Sequence, residues 1–93
     1  MEDLNQLRKA IDQIDAKLLD LISQRIEVVK KVGEYKKLVG KPIKDPAREQ
    51  ERIDSLAVQG KALGLTKEII AKIWMTFFSI AYTIEEQEGA KHD

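Results

Sequence analysis

Apolar residues recur along the N-terminal part of the chain with the spacing of one long helix. No proline interrupts residues 4–39, and the only glycine there is Gly33. The apolar positions follow one another in alternating steps of three and four, which is typical of a helix with a single apolar seam. The seam consists of Leu4, Leu7, Ile11, Ile14, Leu18, Leu21, Val28, Val32 and Tyr35. Position 25 belongs to the same series but holds Arg25, which is the first indication of a ligand.

This predicted helix is too long for a compact chain of its size. Its residues 4–39 would span about 54 Å at about 1.5 Å per residue. A compact domain of 93 residues has a radius of gyration of about 12 Å and a diameter of about 30 Å. The rest of the chain can hardly cover the whole seam. A second copy paired along the seam is therefore the economical prediction, and a solitary extended helix is the weaker alternative.

A second helix is predicted after a short link. Gly40 is a suitable end for the first helix, and Pro42 follows closely. Asp45 is a candidate N-cap for the second helix, with Pro46 at its first position. Gly60 weakens this helix near its end.

The third predicted helix starts at Thr66, a plausible N-cap. Its residues 69–84 are densely apolar, so we expect it to be buried on most sides. We expect the polar tail to fray beyond Gly89. No segment alternates with period two, so no strand is predicted. The chain is expected to be one all-α domain, residues 1–93, with three helices.

Composition excludes several classes of function. Sixteen basic and sixteen acidic residues cancel, so no overall field favours nucleic acid or a membrane surface. There is no cysteine for disulfide or thiolate chemistry. The apolar run at residues 73–84 is shorter than the about 20 residues that span a bilayer. Met1 leads directly into a charged helix, so we expect no signal peptide and a cytoplasmic protein.

Candidate cations lie on the first helix. Arg25 and Lys36 share one face and flank an apolar strip. They could bind an anion, or they could reach solvent or pair with acids of another helix. Arg8 is about 25 Å from Arg25 along the axis, so one straight helix cannot bring both to a small ligand. An antiparallel partner chain could do so; otherwise Arg8 is a surface charge.

Candidate polar groups also occur on the other helices. Asp45, Arg48 and Glu49 open the second helix, where they could cap it or bind a polar substrate. Glu85 ends a face with Trp74, Phe78 and Ala81 at helical spacing. Apolar surroundings favour the neutral form of a carboxyl group, although a solvated glutamate at a fraying end is the simpler alternative. No metal-ligand cluster, nucleophile–base set or phosphate-binding loop is visible, and no cofactor is expected.

These stretches resemble the all-α class of chorismate mutase, in its monofunctional bacterial or archaeal type. The matching segments are LRKAIDQID at 7–15, QR at 24–25, VGEYK at 32–36 and PIKDPARE at 42–49. The resemblance implies three helices per chain, in a homodimer intertwined through the long first helix. It also implies rearrangement of chorismate to prephenate, on the shikimate route to phenylalanine and tyrosine.

The resemblance assigns roles to individual residues. Arg25 and a partner's Arg8 would hold the substrate carboxylates, and Lys36 would bind the ether oxygen and a carboxylate. Asp45 and Glu49 would hold the end of the ring that carries the hydroxyl group, with Arg48 alongside. Two positions depart from the usual pattern: Ala81 replaces a small hydroxyl residue, and Glu85 replaces a glutamine. We expect Glu85 to act in its protonated form.

Two other functions remain open from the sequence. An isochorismate pyruvate lyase would share the fold and would eliminate pyruvate from a similar dianion. A non-catalytic helical dimerisation or regulatory module would explain the departures at Ala81 and Glu85. Against the second stands the row of Arg8, Arg25, Lys36, Asp45 and Glu49, which a bundle does not need.

Overall fold

The computed structural model describes residues 2–92 and contains three helices. They are α1 (Leu4–Val39), α2 (Pro46–Lys61) and α3 (Lys67–Gln87). Within the described range there is no strand, only an isolated bridge between Pro42 and Lys91. The all-α, three-helix prediction is confirmed. Met1 and Asp93, the two ends of the predicted domain, lie outside the described residues. The prediction of no signal peptide starts from Met1 and therefore also falls partly outside them.

The long helix α1 is closed at both ends by local hydrogen bonds. The Asp3 side chain accepts from the Gln6 N–H and the Gln6 side chain accepts from the Asp3 N–H, each at 2.9 Å, which forms a capping box. Gly40 ends the helix with a φ of 76°, and its N–H donates to the Lys36 carbonyl at 2.8 Å. The result is an elongated molecule of 56 × 25 × 15 Å.

The other two helices begin at the predicted caps. The Asp45 carboxylate accepts from the Arg48 N–H at 3.1 Å, with Pro46 in the first turn. The Thr66 hydroxyl accepts from the Ile69 N–H at 3.2 Å. Between the helices, Gly64 makes the turn with a positive φ of 75°. These caps explain why both starts were visible in the sequence.

Helices α1 and α2 both pack on α3. The buried apolar residues are few, namely Ile43, Ile53, Ile70, Ala81 and Ala90. Every residue from 4 to 21 is exposed, so only the C-terminal half of α1 is covered by its own chain. The core of the single chain therefore lies at one end of the molecule.

The apolar seam of α1 remains open in the single chain. Its members are between 39% and 59% exposed. The expectation that α3 is buried on most sides is also wrong for one chain, since Ile69, Ile73 and Ile80 are exposed. Both faces are apolar surface that one chain of this length cannot cover. No helix in residues 2–92 is both long and apolar enough to cross a membrane.

The residues after α3 fold back onto the link between α1 and α2. The Ala90 N–H donates to the Glu85 carbonyl at 3.1 Å, and the Ile43 N–H donates to the Lys91 carbonyl at 3.0 Å. Ala90 and Ile43 are both buried. The expected fraying beyond Gly89 is therefore wrong for the described residues, because this segment has backbone partners that the sequence pattern did not reveal.

Gly33 sets the close approach of α1 and α3. It is the buried residue of α1. A Cβ at this position would lie 2.9 Å from the Glu85 Cα and 3.0 Å from the Glu88 Cβ. Only a residue without a side chain fits there without a shift of the helices. Since Lys36 follows one turn later, this contact also positions Lys36 against Glu85.

We expect Gly33→Ala to destabilise the protein, although alanine is the better helix former. In an open helix the change would stabilise by about 1 kcal/mol, whereas overpacking here should cost about 1–3 kcal/mol. Urea unfolding at fixed protein concentration measures the difference. Ser23→Ala, at an exposed position of the same helix, is the control and should change little. Equal or greater stability of Gly33→Ala would contradict this account of the contact.

Candidate functional site

A pocket of about 220 Å³ lies where α1, the start of α2 and the second half of α3 meet. All the site residues predicted from the sequence line it except Arg8. They are Arg25, Lys36, Asp45, Arg48, Glu49, Ala81 and Glu85. Wider grooves exist elsewhere, among them one of about 430 Å³ beside Lys44 and His92. The smaller pocket is the candidate site because the charged side chains converge there.

Lys36 and Glu85 meet at the base of this pocket. Lys36 Nζ lies 2.5 Å from Glu85 Oε1 and donates to the Ile43 carbonyl at 2.6 Å. Glu85 is only 3% exposed, so the alternative of a solvated glutamate is wrong. The approach to Oε1 is close but poorly directed, and that oxygen has no aligned hydrogen-bond donor among residues 2–92.

Arg25 reaches the pocket from α1 and is partly buried. Its guanidinium carbon lies 5.0 Å from the centre of the Phe77 ring, in a cation–π arrangement. No carboxylate of residues 2–92 lies within 4.0 Å of it. Burial, and after it the charge of Arg52, lower the pKa of Arg25. An arginine stays protonated at neutral pH, so this group is a partly desolvated cation without an anionic partner.

The start of α2 contributes three polar side chains with different surroundings. Asp45 caps the helix and also lines the pocket, so capping and binding are compatible. Arg48 is exposed and only 3.7 Å from Glu51, a weak surface pair. Glu49 is partly buried, and its Oε2 accepts from the Tyr82 hydroxyl at 2.6 Å.

Two polar residues of the pocket were missed by sequence reasoning. Tyr82 comes from α3 and orients Glu49; burial, and after it the hydrogen bond to Glu49, raise the pKa of Tyr82, so its phenol remains the donor. Arg52 comes from α2. It follows Arg48 by four residues and therefore shares its helix face, a signal that could have found it. No comparable pattern pointed to Tyr82, since its partner is 33 residues away.

Arg8 does not reach the pocket of its own chain. It is exposed and lies in the uncovered half of α1. Arg25 follows Arg8 by 17 positions, which correspond to about 25 Å of helix. A role for Arg8 at this site requires a second chain and stays a prediction.

The charged side chains that line the pocket favour an anionic ligand. Arg25, Lys36, Arg48 and Arg52 face three carboxylates, those of Asp45, Glu49 and Glu85. Each carboxylate already has a partner: a helix N-terminus, a phenol and an ammonium group respectively. Within residues 2–92, the guanidinium groups of Arg25 and Arg52 have no carboxylate partner. Such a wall can bind and orient a small dianion and stabilise negative charge that develops on it.

Comparison with known proteins identifies the same family that the motifs suggested. The family model described as "Chorismate mutase type II" matches residues 7–87. The T-protein of Enterobacter agglomerans is 37% identical over 89 residues, which cover 96% of this chain and 24% of that protein. The chorismate mutase of Methanocaldococcus jannaschii is 34% identical over 87 residues, which cover 94% of this chain and 88% of that protein.

A third relative shows how variable the context of this domain is. The bifunctional chorismate mutase/prephenate dehydratase of Aquifex aeolicus is 38% identical over 74 residues, 80% of this chain but 19% of that protein. The chain thus spans about a quarter of the T-protein, yet most of the archaeal enzyme. With the family model extending over nearly all of its length and three helices in the structure, the chain belongs to the chorismate mutase type II family.

Proposed function

We propose that the protein is an isomerase that converts chorismate to prephenate in phenylalanine and tyrosine biosynthesis. The observation that carries the proposal is the convergence of Arg25, Lys36 and Glu85 in one small pocket of a chain from this family. The archaeal relative named chorismate mutase, which this chain covers almost completely, supports the same activity.

The rearrangement is unimolecular and pericyclic, so the protein's task is positioning and electrostatics. Arg25 binds a substrate carboxylate and favours the compact, chair-like conformer in which the reacting carbons are close. Negative charge grows on the ether oxygen as the C–O bond breaks. Lys36 faces that oxygen and is held in advance by the Ile43 carbonyl and Glu85. A cation fixed in this way need not reorganise during the reaction.

Glu85 has a second role in the proposal, as a hydrogen-bond donor to the ether oxygen. In the ligand-free pocket its carboxyl group contacts the Lys36 ammonium group. An ionised Glu85 would repel both the oxygen and the dianion. Glu85 therefore takes up a proton as the dianion binds. The Lys36 ammonium group, which the Ile43 carbonyl still holds, then interacts with the substrate instead of with a carboxylate.

The active form in this proposal is an intertwined homodimer. A second copy covers the open α1 seam, whose members are between 39% and 59% exposed in one chain. In an antiparallel pair, the uncovered N-terminal half of each α1 extends towards the partner's pocket. The partner's Arg8 then supplies a cation for the second carboxylate.

The test of function is incubation of the purified protein with chorismate, and separately with isochorismate. Loss of chorismate with formation of prephenate is the expected result. Salicylate and pyruvate from isochorismate would identify a lyase instead. No turnover of either compound, together with no binding of prephenate, would identify a non-catalytic module and overturn the proposal.

We expect Lys36→Ala to lower kcat for the rearrangement about 10²- to 10³-fold, because the ether oxygen loses its fixed cation. Steady-state kinetics measures the loss, and circular dichroism checks that the helices remain. Lys31→Ala, at an exposed lysine of α1 outside the pocket, is the control. The double variant Lys36→Gln/Glu85→Gln leaves no unpaired buried charge, and it separates lost catalysis from lost folding. Near-normal turnover of a folded variant would remove Lys36 from the mechanism.

We expect the activity to fall as pH rises, because the reactive complex carries a proton on Glu85 that is lost at high pH. Glu85→Gln, which is neutral at every pH, should flatten the profile. The other titratable and charged groups that line this pocket are Arg25 and Lys36 on α1, Asp45, Arg48, Glu49 and Arg52 at the start of α2, and Tyr82 on α3. Calorimetry in buffers of different ionisation enthalpy should detect proton uptake on prephenate binding by the wild type only. A wild-type rate that does not depend on pH would exclude this role.

We expect Leu18→Glu, in the middle of the seam, to abolish the dimer and the activity together. A buried charge without a partner is costly, and the monomer lacks the partner's Arg8. Light scattering after gel filtration measures the size. Leu38→Glu, on α1 but outside the seam and 84% exposed, should leave both unchanged. A wild type that is monomeric and fully active would sink the dimer proposal.

A mixing experiment tests whether Arg8 acts across the interface. Chains carrying Arg8→Ala and chains carrying Arg25→Ala are each inactive in the proposal. Random pairing of equal amounts gives one intact site in every mixed dimer, so about a quarter of the wild-type activity should return. No recovery in verified mixed dimers would place Arg8 outside the partner's site.

A further inference from the structure

We propose that Arg52 is a further substrate-binding residue of this pocket and holds one carboxylate of the dianion together with Arg25. The inference rests on the proposed function, since it names an additional group that recognises the same ligand. The sequence prediction did not include Arg52, and its position in the structure suggests the role.

The first argument is the place of Arg52 on the pocket wall. Arg52 lies on α2 and lines the pocket between α1 and α3. It is partly buried, whereas Arg48, one turn earlier, has a side chain that is 62% exposed and lies near Glu51. Within residues 2–92 no carboxylate lies within 4.0 Å of the Arg52 guanidinium. A partly buried arginine without a carboxylate partner is suited to bind an anion from outside the chain.

The second argument is the closeness of Arg52 to another unpaired cation. Its charge contributes, after burial, to the lowered pKa of Arg25. Two guanidinium groups that repel each other in the free protein raise the energy of the empty pocket. A carboxylate placed between them removes the repulsion and accepts hydrogen bonds from both. An anion bound in the pocket would therefore stabilise this pair.

The third argument is that the carboxylates of the pocket already have other partners, since Asp45 accepts from the Arg48 N–H at the start of α2. Glu49 is occupied by the Tyr82 hydroxyl, and Glu85 by Lys36. Ala81, which lines the pocket from α3, has only a methyl group and cannot donate a hydrogen bond from its side chain. Arg25 and Arg52 are then the pocket arginines for which residues 2–92 supply no carboxylate, and both can donate to a substrate carboxylate.

The alternative is that Arg52 is a solvated surface residue of α2 without a role in ligand binding. The two roles differ in what they affect. A solvating arginine changes neither ligand affinity nor its dependence on salt. A carboxylate-binding arginine changes both, and its removal should leave the free protein at least as stable, because the repulsion with Arg25 is relieved.

The experiment compares Arg52→Gln and Arg52→Lys with Lys61→Gln, an exposed cation on the same helix and outside the pocket. Calorimetry measures the Kd for prephenate at low and high salt, kinetics measures KM and kcat for chorismate, and urea unfolding measures stability. For Arg52→Gln we expect at least about a 10-fold weaker Kd, as for loss of a charged hydrogen bond. We also expect a weaker salt dependence and unchanged stability. Arg52→Lys should recover part of the affinity, and Lys61→Gln should stay within about twofold of wild type.

The outcomes separate this inference from the proposed function. If the wild type rearranges chorismate and Arg52→Gln binds prephenate as well as Lys61→Gln does, Arg52 has no role in binding and only this inference fails. If the wild type binds prephenate without turning over chorismate, the proposed activity fails, and the Kd values alone decide about Arg52. If the wild type binds no prephenate, both proposals fail.

Discussion

The site depends on one close contact between helices. Gly33 lets α1 approach the backbone of α3 at Glu85, where a Cβ would lie only 2.9 Å from the Glu85 Cα. One turn further along α1, Lys36 then reaches both the Glu85 carboxyl group and the Ile43 carbonyl. The C-terminal segment closes the same corner, because Lys91 accepts from the Ile43 N–H. The charge of Lys36 is thus fixed by packing rather than by a flexible surface pair.

The pocket departs from the rules that stabilise a folded chain. It contains Arg25 and Arg52, for which residues 2–92 supply no carboxylate partner, and it buries the charged pair of Lys36 and Glu85. Each feature costs free energy in the empty protein. Such departures concentrate where a ligand restores the balance. The remaining groups of the wall are satisfied by the protein itself, as the hydrogen bond between Tyr82 and Glu49 shows.

The same long helix connects the site with assembly. Its C-terminal half carries Arg25 and Lys36 and packs on α3, while every residue from 4 to 21 is exposed. A chain with so few buried apolar residues and such a long open seam lacks a closed core of its own. In the proposed dimer, the surface that completes the core also brings Arg8 to the site. Folding, association and anion binding then depend on one another.

The sequence by itself determined the helices, because their signals are local. The period of the apolar seam set α1 at residues 4–39, and Asp45 and Thr66 marked the later starts through their own side chains. Spacing and capping made candidates of the predicted charged residues of the pocket, and the resemblance to a family assigned their roles. Their convergence is a property of helix packing. Only the tertiary structure decided that Glu85 is buried against Lys36 and that Tyr82 meets Glu49. Such contacts join residues far apart in the chain, where neither periodicity nor capping carries information. The tertiary structure also decided that the residues after α3 are ordered against the chain, because the Lys91 carbonyl accepts from Ile43 in the link before α2.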